Sequence, residues 1–194
     1  MSLPLFPLPN VVLLPGLVLP LYVFEPRYRD LLARVRRSGE PFGITRLGPA
    51  LDEGTPFVER VGTVGTLAYV REVVDHADGT ASILVVGGDR FEVKDFDTSE
   101  SYLSADVEVL PMETGDPVVI GVLGRTVLQG VVDLHRENAE KVRAGAPKDP
   151  LLLSTYCAAL MPLTAEQGDE VLRAPSVADR FEVLASLIPS RTLN

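Results

Sequence analysis

Three side chains are the natural carriers of acid–base or nucleophilic chemistry at neutral pH: His76, His135 and Cys157. None sits in the pattern that such chemistry needs. His76 falls in Asp75-His76-Ala77-Asp78, just before Gly79. These residues could hold a metal weakly, but aspartates beside a glycine are ordinary turn chemistry. His135 stands between Leu134 and Arg136 with no second ligand at a useful spacing. Cys157 lies among Leu152, Leu153, Tyr156, Leu160 and Met161, the setting of a small buried thiol without a cationic partner. No serine stands in a G-x-S-x-G context, and no G-x-x-x-x-G-K-[ST] loop occurs. Gly87-Gly88 lacks the helix N-terminus that a phosphate site uses, and reads as a β-bulge. The sequence therefore predicts no catalytic residue, no metal site and no cofactor.

The dense cluster of functional groups is basic instead. Arg27, Arg29, Arg34, Arg36 and Arg37 crowd residues 27–37 with only Asp30 against them. On a helix Arg27 and Arg34 share one face, and Arg29 and Arg36 another. Two readings stay open. One is a solvated helix whose basic end suits the helix dipole. The other is a basic edge beside exposed apolar residues, suited to acidic or unfolded polypeptide. Glu25, Arg27 and Tyr28 also fit a structural corner, with a Glu–Arg pair beside a buried tyrosine. The candidate polypeptide-binding surface is Glu25, Arg27, Tyr28, Arg34, Arg36 and Arg37.

The elements that position these residues begin with an apolar run, residues 3–29, cut by Pro4, Pro7, Pro9, Pro15 and Pro20. Proline lacks the N–H of a central strand, so each marks an edge, bulge or turn. The pattern predicts two short strands folded back on each other at Leu14-Pro15-Gly16. A helix follows from Glu25-Pro26, with Tyr28, Leu31, Leu32 and Val35 on its apolar face and Ser38-Gly39 at its end. Residues 42–46, 59–74, 81–86, 91–96 and 103–109 read as strands. Gly62 and Gly65 suggest bulges, and Asp78-Gly79 a hairpin turn.

Beyond the punctuated stretch from Leu110 to Pro117 the texture turns helical. Asp116-Pro117 and Asp149-Pro150 each pair an N-cap with a first-turn proline, and Thr164–Gln167 and Ser176–Asp179 read as capping boxes. The first of four predicted helices runs to about Arg143. The expectation is an α+β chain: a barrel-like β domain with one early helix at 1–112, then a helical bundle at 113–194.

Composition narrows the function classes. The chain has 194 residues, 46% of them hydrophobic, and a formal net charge of −9. Residues 1–112 carry 10 Lys and Arg against 16 Asp and Glu, a balance of −6 that argues against a phosphate backbone as partner. One cysteine precludes an internal disulfide. The N-terminus has no basic region ahead of its broken apolar run, and no stretch approaches ~20 uninterrupted apolar residues. A complete, cytoplasmic, membrane-free protein is expected.

A resemblance sharpens this. Leu3-Pro-Leu-Phe-Pro-Leu8, Val11-Val12 and Leu14-Pro15-Gly16 resemble the first strand and turn of the N-terminal substrate-binding domain of the Lon protease family. Residues 19–29 resemble the next strand and helix start in stand-alone Lon-domain proteins. Phe42–Leu47, Val61–Leu67 (the family's G-T-x-A strand), Asp78-Gly79, Gly88-Asp-Arg-Phe91 and Ala174–Phe181 follow in the family's order over residues 3–189. The resemblance implies a PUA-like β pseudo-barrel followed by a helical bundle. It also implies recognition of unfolded or exposed-hydrophobic polypeptide, as an adaptor or scaffold working with an ATP-dependent protease. The family's ATPase and peptidase domains have no counterpart here, so no enzymatic activity is implied. An RNA- or small-molecule-binding PUA-like protein is the alternative.

Overall fold

A computed structural model describes residues 2–188. The chain divides into two compact units, Met1–Pro111 and Met112–Asn194.

The first unit is built on six strands: β1 (Ser2–Leu8), β2 (Val18–Val23), β3 (Phe42–Leu47), β4 (Val61–Asp75), β5 (Ala81–Asp97) and β6 (Ser104–Leu110). They run in the order β2-β5-β4-β3-β1-β6, and β5 also pairs with β6. That extra pairing closes β5-β4-β3-β1-β6 into a ring, with β2 laid along the first half of β5. The expected pseudo-barrel is present. Closure depends on the length of β5, which pairs with β2 over 81–86 and with β6 over 90–97.

The hairpin expected at residues 3–23 does not form. The Leu14-Pro15-Gly16 turn is there, with Gly16 at φ 82° and Leu17 N–H donating to Leu14 O. Its two strands nevertheless diverge. β1 runs parallel to β3 and antiparallel to β6, whereas β2 joins β5. The prolines fit this topology. Pro4 lies where β1 pairs only with β6, and Pro7 where it pairs only with β3. Each missing N–H thus falls on a side with no neighbouring strand.

Two apolar clusters flank the sheet. Leu3, Leu5, Leu67, Phe91, Leu103 and Ala105 fill the barrel. Helix α1 (Pro26–Ser38) buries Tyr28, Leu31, Leu32 and Val35 against Phe6, Phe42, Ile44, Ile83 and Val85 on the other side. The helix ends as expected, with Gly39 at φ 70°. Residues 42–45 are buried on both faces, so β3 shows no clean alternation.

Gly62 and Gly65 border a register irregularity, as expected: Thr45 faces Gly65 while Leu47 faces Val61, so four steps on β4 oppose two on β3. A further shift on β4 falls at Arg71. Gly65 also leaves room for a ring: a Cβ there would sit 2.5 Å from Phe91 Cζ and 2.6 Å from Ile44 O. The Gly87-Gly88 bulge is real. Thr66 faces Arg90 while Ala68 faces Gly87, which leaves one extra residue on β5. The Asp78-Gly79 turn also forms, with Gly79 at φ 80° and His76 N–H donating to Thr80 O.

The second unit holds α2 (Pro117–Leu134), α3 (Ala139–Gly145), α4 (Pro150–Leu160), α5 (Ala165–Arg173) and α6 (Val177–Leu187). The predicted caps are in place: Asp116 and Asp149 accept from Val118 and Leu152 N–H, and both capping boxes form. The first helix does not reach Arg143. It stops at His135, whose Nε2 meets Leu160 O at 2.7 Å, and a short 3-10 turn precedes α3. Among the described residues the bundle therefore has five helices rather than four. α2 packs on α3, α4 and α6 and buries Val127, Val131 and Val132. By length and composition alone it could also cross a bilayer (18 residues, mean hydropathy 1.5), in contrast to the membrane-free chain expected from sequence.

Two glycine substitutions test the packing. Gly65→Ala should lower the unfolding free energy by about 2–3 kcal/mol, because Phe91 and the β3 backbone cannot both retreat. Gly121→Ala, whose nearest neighbour is the flexible tip of Arg125 at 3.8 Å, should raise it by about 0.5–1 kcal/mol. Urea denaturation of both variants checks the pair.

Candidate functional site

The helix α1 arginines are largely committed to neighbours. Arg27 donates from Nε to Glu25 Oε2 at 2.8 Å, and its guanidinium lies 4.7 Å from the Tyr28 ring and 4.9 Å from the Phe57 ring. Tyr28 is buried and stacks on Phe6 at 3.9 Å. Burial pushes its phenol above the ordinary value, with Arg27 opposing and Glu25 assisting. These contacts match the structural-corner reading of Glu25, Arg27 and Tyr28. Arg34 donates to Tyr102 Oη and to Ser2 O, and Arg36 pairs with Asp75 at 2.8 Å. Arg37 is exposed at the helix end. A cleft of about 460 Å³ beside α1 is lined by Pro26, Arg29, Asp30, Arg36, Asp75 and Gly79. Its two arginines and two aspartates balance, so it shows no charge preference.

The outer face of β2, β5 and β4 is different. The register sets Val18, Val86 and Tyr69 in one row, Pro20, Leu84 and Glu72 in the next, and Tyr22, Ser82 and Val74 in a third. Neighbours in such rows lie about 5 Å apart. Phe24 follows β2, and its ring sits 5.9 Å from that of Tyr22. His76 sits 5.9 Å from Tyr22 on the other side and bonds Ser82 Oγ through Nε2 at 2.9 Å. Tyr69 lies across Gly88, where a Cβ would be 2.4 Å from its ring. Tyr22, Phe24 and Tyr69 are 52%, 58% and 40% exposed, and every other Phe and Tyr among the described residues is buried or half-buried. Exposed aromatic surface is therefore concentrated on one sheet face. α1 covers the opposite, inner face of the same strands.

The free edge of β2 is not built for pairing. Gly87 N–H donates to Leu17 O. Alternation along the ladder then turns the backbone of Val18, Pro20 and Tyr22 outward. Pro20 has no N–H to offer there, so an added strand would lose its middle bond. Strand addition has no support on either N-terminal strand: β1 is paired with β6 over 2–4 and with β3 over 5–8, and β2 is blunted by Pro20.

Of the residues able to do chemistry, His76 is exposed on this face and His135 caps α2. Cys157 is fully buried, and burial pushes its thiol up to about 11. Among the described residues no group of three or more His, Cys, Asp or Glu is arranged to hold a metal ion.

Residues 2–189 match the family model of the ATP-dependent protease La (LON) substrate-binding domain. The chain belongs to this family. It is 30% identical over 195 residues to Lon protease of Escherichia coli (strain K12), covering 97% of this chain and 25% of that protein. It is 26% identical over 194 residues to Lon protease 2 of Herpetosiphon aurantiacus, covering 97% of this chain and 24% of that protein. The chain thus spans about a quarter of these curated relatives. The crystal structure of a Lon N-terminal domain protein from Xanthomonas campestris superposes with TM-score 0.71 at 26% identity, over 97% of this chain and 99% of that one. The N-terminal domain of the Mycobacterium avium complex Lon protease shares the fold, with TM-score 0.76 at 19% identity over 98% and 100% of the two chains.

In this Lon substrate-binding domain the sequence reading picked out the arginines of α1 and missed Tyr22, Phe24, Tyr69 and Val74. The signal was available only in part. Val18, Pro20, Tyr22 and Phe24 alternate with Leu19, Leu21 and Val23, but both sets are apolar, so the pattern does not say which set is solvent-facing.

Arg27→Ala should lower stability by about 1–2 kcal/mol, because it removes the Glu25 pair and two ring contacts; thermal denaturation checks this. Cys157 should resist thiol reagents in the native state and react once the chain is unfolded. Its raised pKa stabilises the fold below about pH 9 and is lost as pH rises toward about 11, because the unfolded thiol ionises first. A titration of stability across that window should fall with pH, and Cys157→Ala should flatten part of the fall.

Proposed function

We propose that this chain is a non-enzymatic recognition module for unfolded or exposed-hydrophobic polypeptide, and that the outer face of β2, β5 and β4 is its contact surface. The observation that carries the reading is the gathering of the exposed aromatic rings, Tyr22, Phe24 and Tyr69, on one face of a Lon substrate-binding domain. Aromatic side chains supply large contact area at low entropic cost, and contiguous exposed apolar surface marks interaction sites. The occupant lies across the strands and is held by side chains, because the β2 edge is blunted by Pro20. Work as an adaptor or scaffold beside an ATP-dependent protease, in the cytoplasm, belongs to the same reading. So does a supporting role for the basic end of α1, where Arg37 is free to contribute. The charge balance of the β unit gives the RNA alternative no support.

The test is binding of a permanently unfolded model protein, followed by calorimetry. Tyr22→Ala/Phe24→Ala should weaken binding by about tenfold or more while leaving the melting temperature nearly unchanged, since both rings are exposed. Arg37→Glu should change affinity by no more than about twofold, as expected for a peripheral charge. If the aromatic double variant binds like wild type, or Arg37→Glu abolishes binding, the sheet face is not the contact surface.

A further inference from the structure

We propose that the outer β2–β5–β4 face selects for segments in which Arg or Lys flanks aromatic or aliphatic residues. This rests on the polypeptide-recognition reading above and specifies its substrate class. The rings of Tyr22, Phe24 and Tyr69 are exposed, and aromatic rings attract guanidinium and ammonium groups over their electron-rich faces. The charges around them have the matching sign. Glu72 lies in the middle row of the face, level with Leu84. Asp89 is exposed on the β5 bulge beside Gly88, the residue that Tyr69 covers. Asp78 is exposed at the hairpin tip, where the Thr80 hydroxyl and backbone N–H hold its carboxyl below the usual range. Against these three stand two positive charges, Arg71 on the β4 bulge next to Glu72 and Arg29, whose guanidinium reaches from α1 to Gly79 at the hairpin tip. His76 adds a ring beside Tyr22.

The other α1 arginines do not reverse this balance. They belong to the helix on the inner side of these strands, and Arg27, Arg34 and Arg36 are occupied by Glu25, Tyr102 with Ser2 O, and Asp75. The preference is therefore opposite in sign to the one the arginine-rich helix suggests from sequence. The net charge of −9 adds long-range attraction for a basic segment. Apolar contact supplies the affinity, and the acidic rim with the ring faces supplies the selection.

The test uses three peptides with one shared aromatic and aliphatic centre, flanked by Arg, by Gln or by Glu. Binding to the full chain is read by fluorescence anisotropy at low and high salt. The Arg-flanked peptide should bind about tenfold tighter than the Glu-flanked one at low salt, and the gap should narrow at high salt. Glu72→Gln/Asp89→Asn should narrow it at low salt without weakening the Gln-flanked peptide, whereas Tyr22→Ala should weaken all three. Equal affinity for the three peptides, or tighter binding of the Glu-flanked one, overturns the charge selection and leaves polypeptide recognition standing. Failure of all three to bind overturns both.

Discussion

Strand β5 is the constraint on which the first unit depends. One continuous strand must serve two sheets' worth of neighbours: β2 and β4 along its first half, β4 and β6 along its second. A straight strand cannot do this. The extra residue at Gly88-Asp89 increases the local bend and twist, and lets the second half close against β6. Closure creates an interior, and Phe91 fills it. That ring fits because the nearest positions on β3 and β4 are Gly43 and Gly65, where a Cβ would lie 2.6 and 2.5 Å from Phe91 Cζ. Bulge, ring and two glycines form one steric unit spread over three strands.

The same bend generates the outer face. Gly88 at the bulge accepts the Tyr69 ring above it, and Gly87 lets the Leu14–Leu17 turn pass close enough to exchange backbone bonds. β2 is thereby fixed alongside β5, and its odd-numbered residues pack inward under α1. Its even-numbered residues then have nowhere to go but solvent, because the inner face is already filled by the helix. Exposure of Tyr22 and Phe24 follows from topology, even though both are as apolar as their buried neighbours.

Local features were legible in the sequence, and pairings were not. The α1 face, its glycine cap, the four helix N-caps, the Asp78-Gly79 hairpin and the β5 bulge each depend on residues within a few positions of one another. Those signals survive in a single sequence. The partner of β1 lies about forty residues away on β3, and nothing near Leu3–Leu8 encodes it. The prolines are incompatible with a two-sided strand, but they do not distinguish a hairpin from two strands with separate neighbours. The structure satisfies them by giving β1 two neighbours that overlap little. The roles of Gly43 and Gly65 were hidden for the same reason: their steric partner, Phe91, is distant in sequence. The break at His135 was also hidden, because the Leu160 carbonyl that meets its ring belongs to another helix.

The arginines show why a charge cluster in sequence is a weak guide to a binding surface. A run of five arginines on one short helix predicts a positive field only if their partners are absent. Here the partners come from three distant segments: Asp75 from the end of β4, Tyr102 from the turn before β6, and Phe57 from the 3-10 turn before β4. Each such contact is modest for an exposed pair. Together they turn most of the cluster into the means by which α1 is seated. What reaches solvent on the outer face is the complement of that use: aromatic rings that touch one another but stay exposed, and more carboxylates than cations. The exposed surface of this unit is thus shaped by what the core and its helix did not consume.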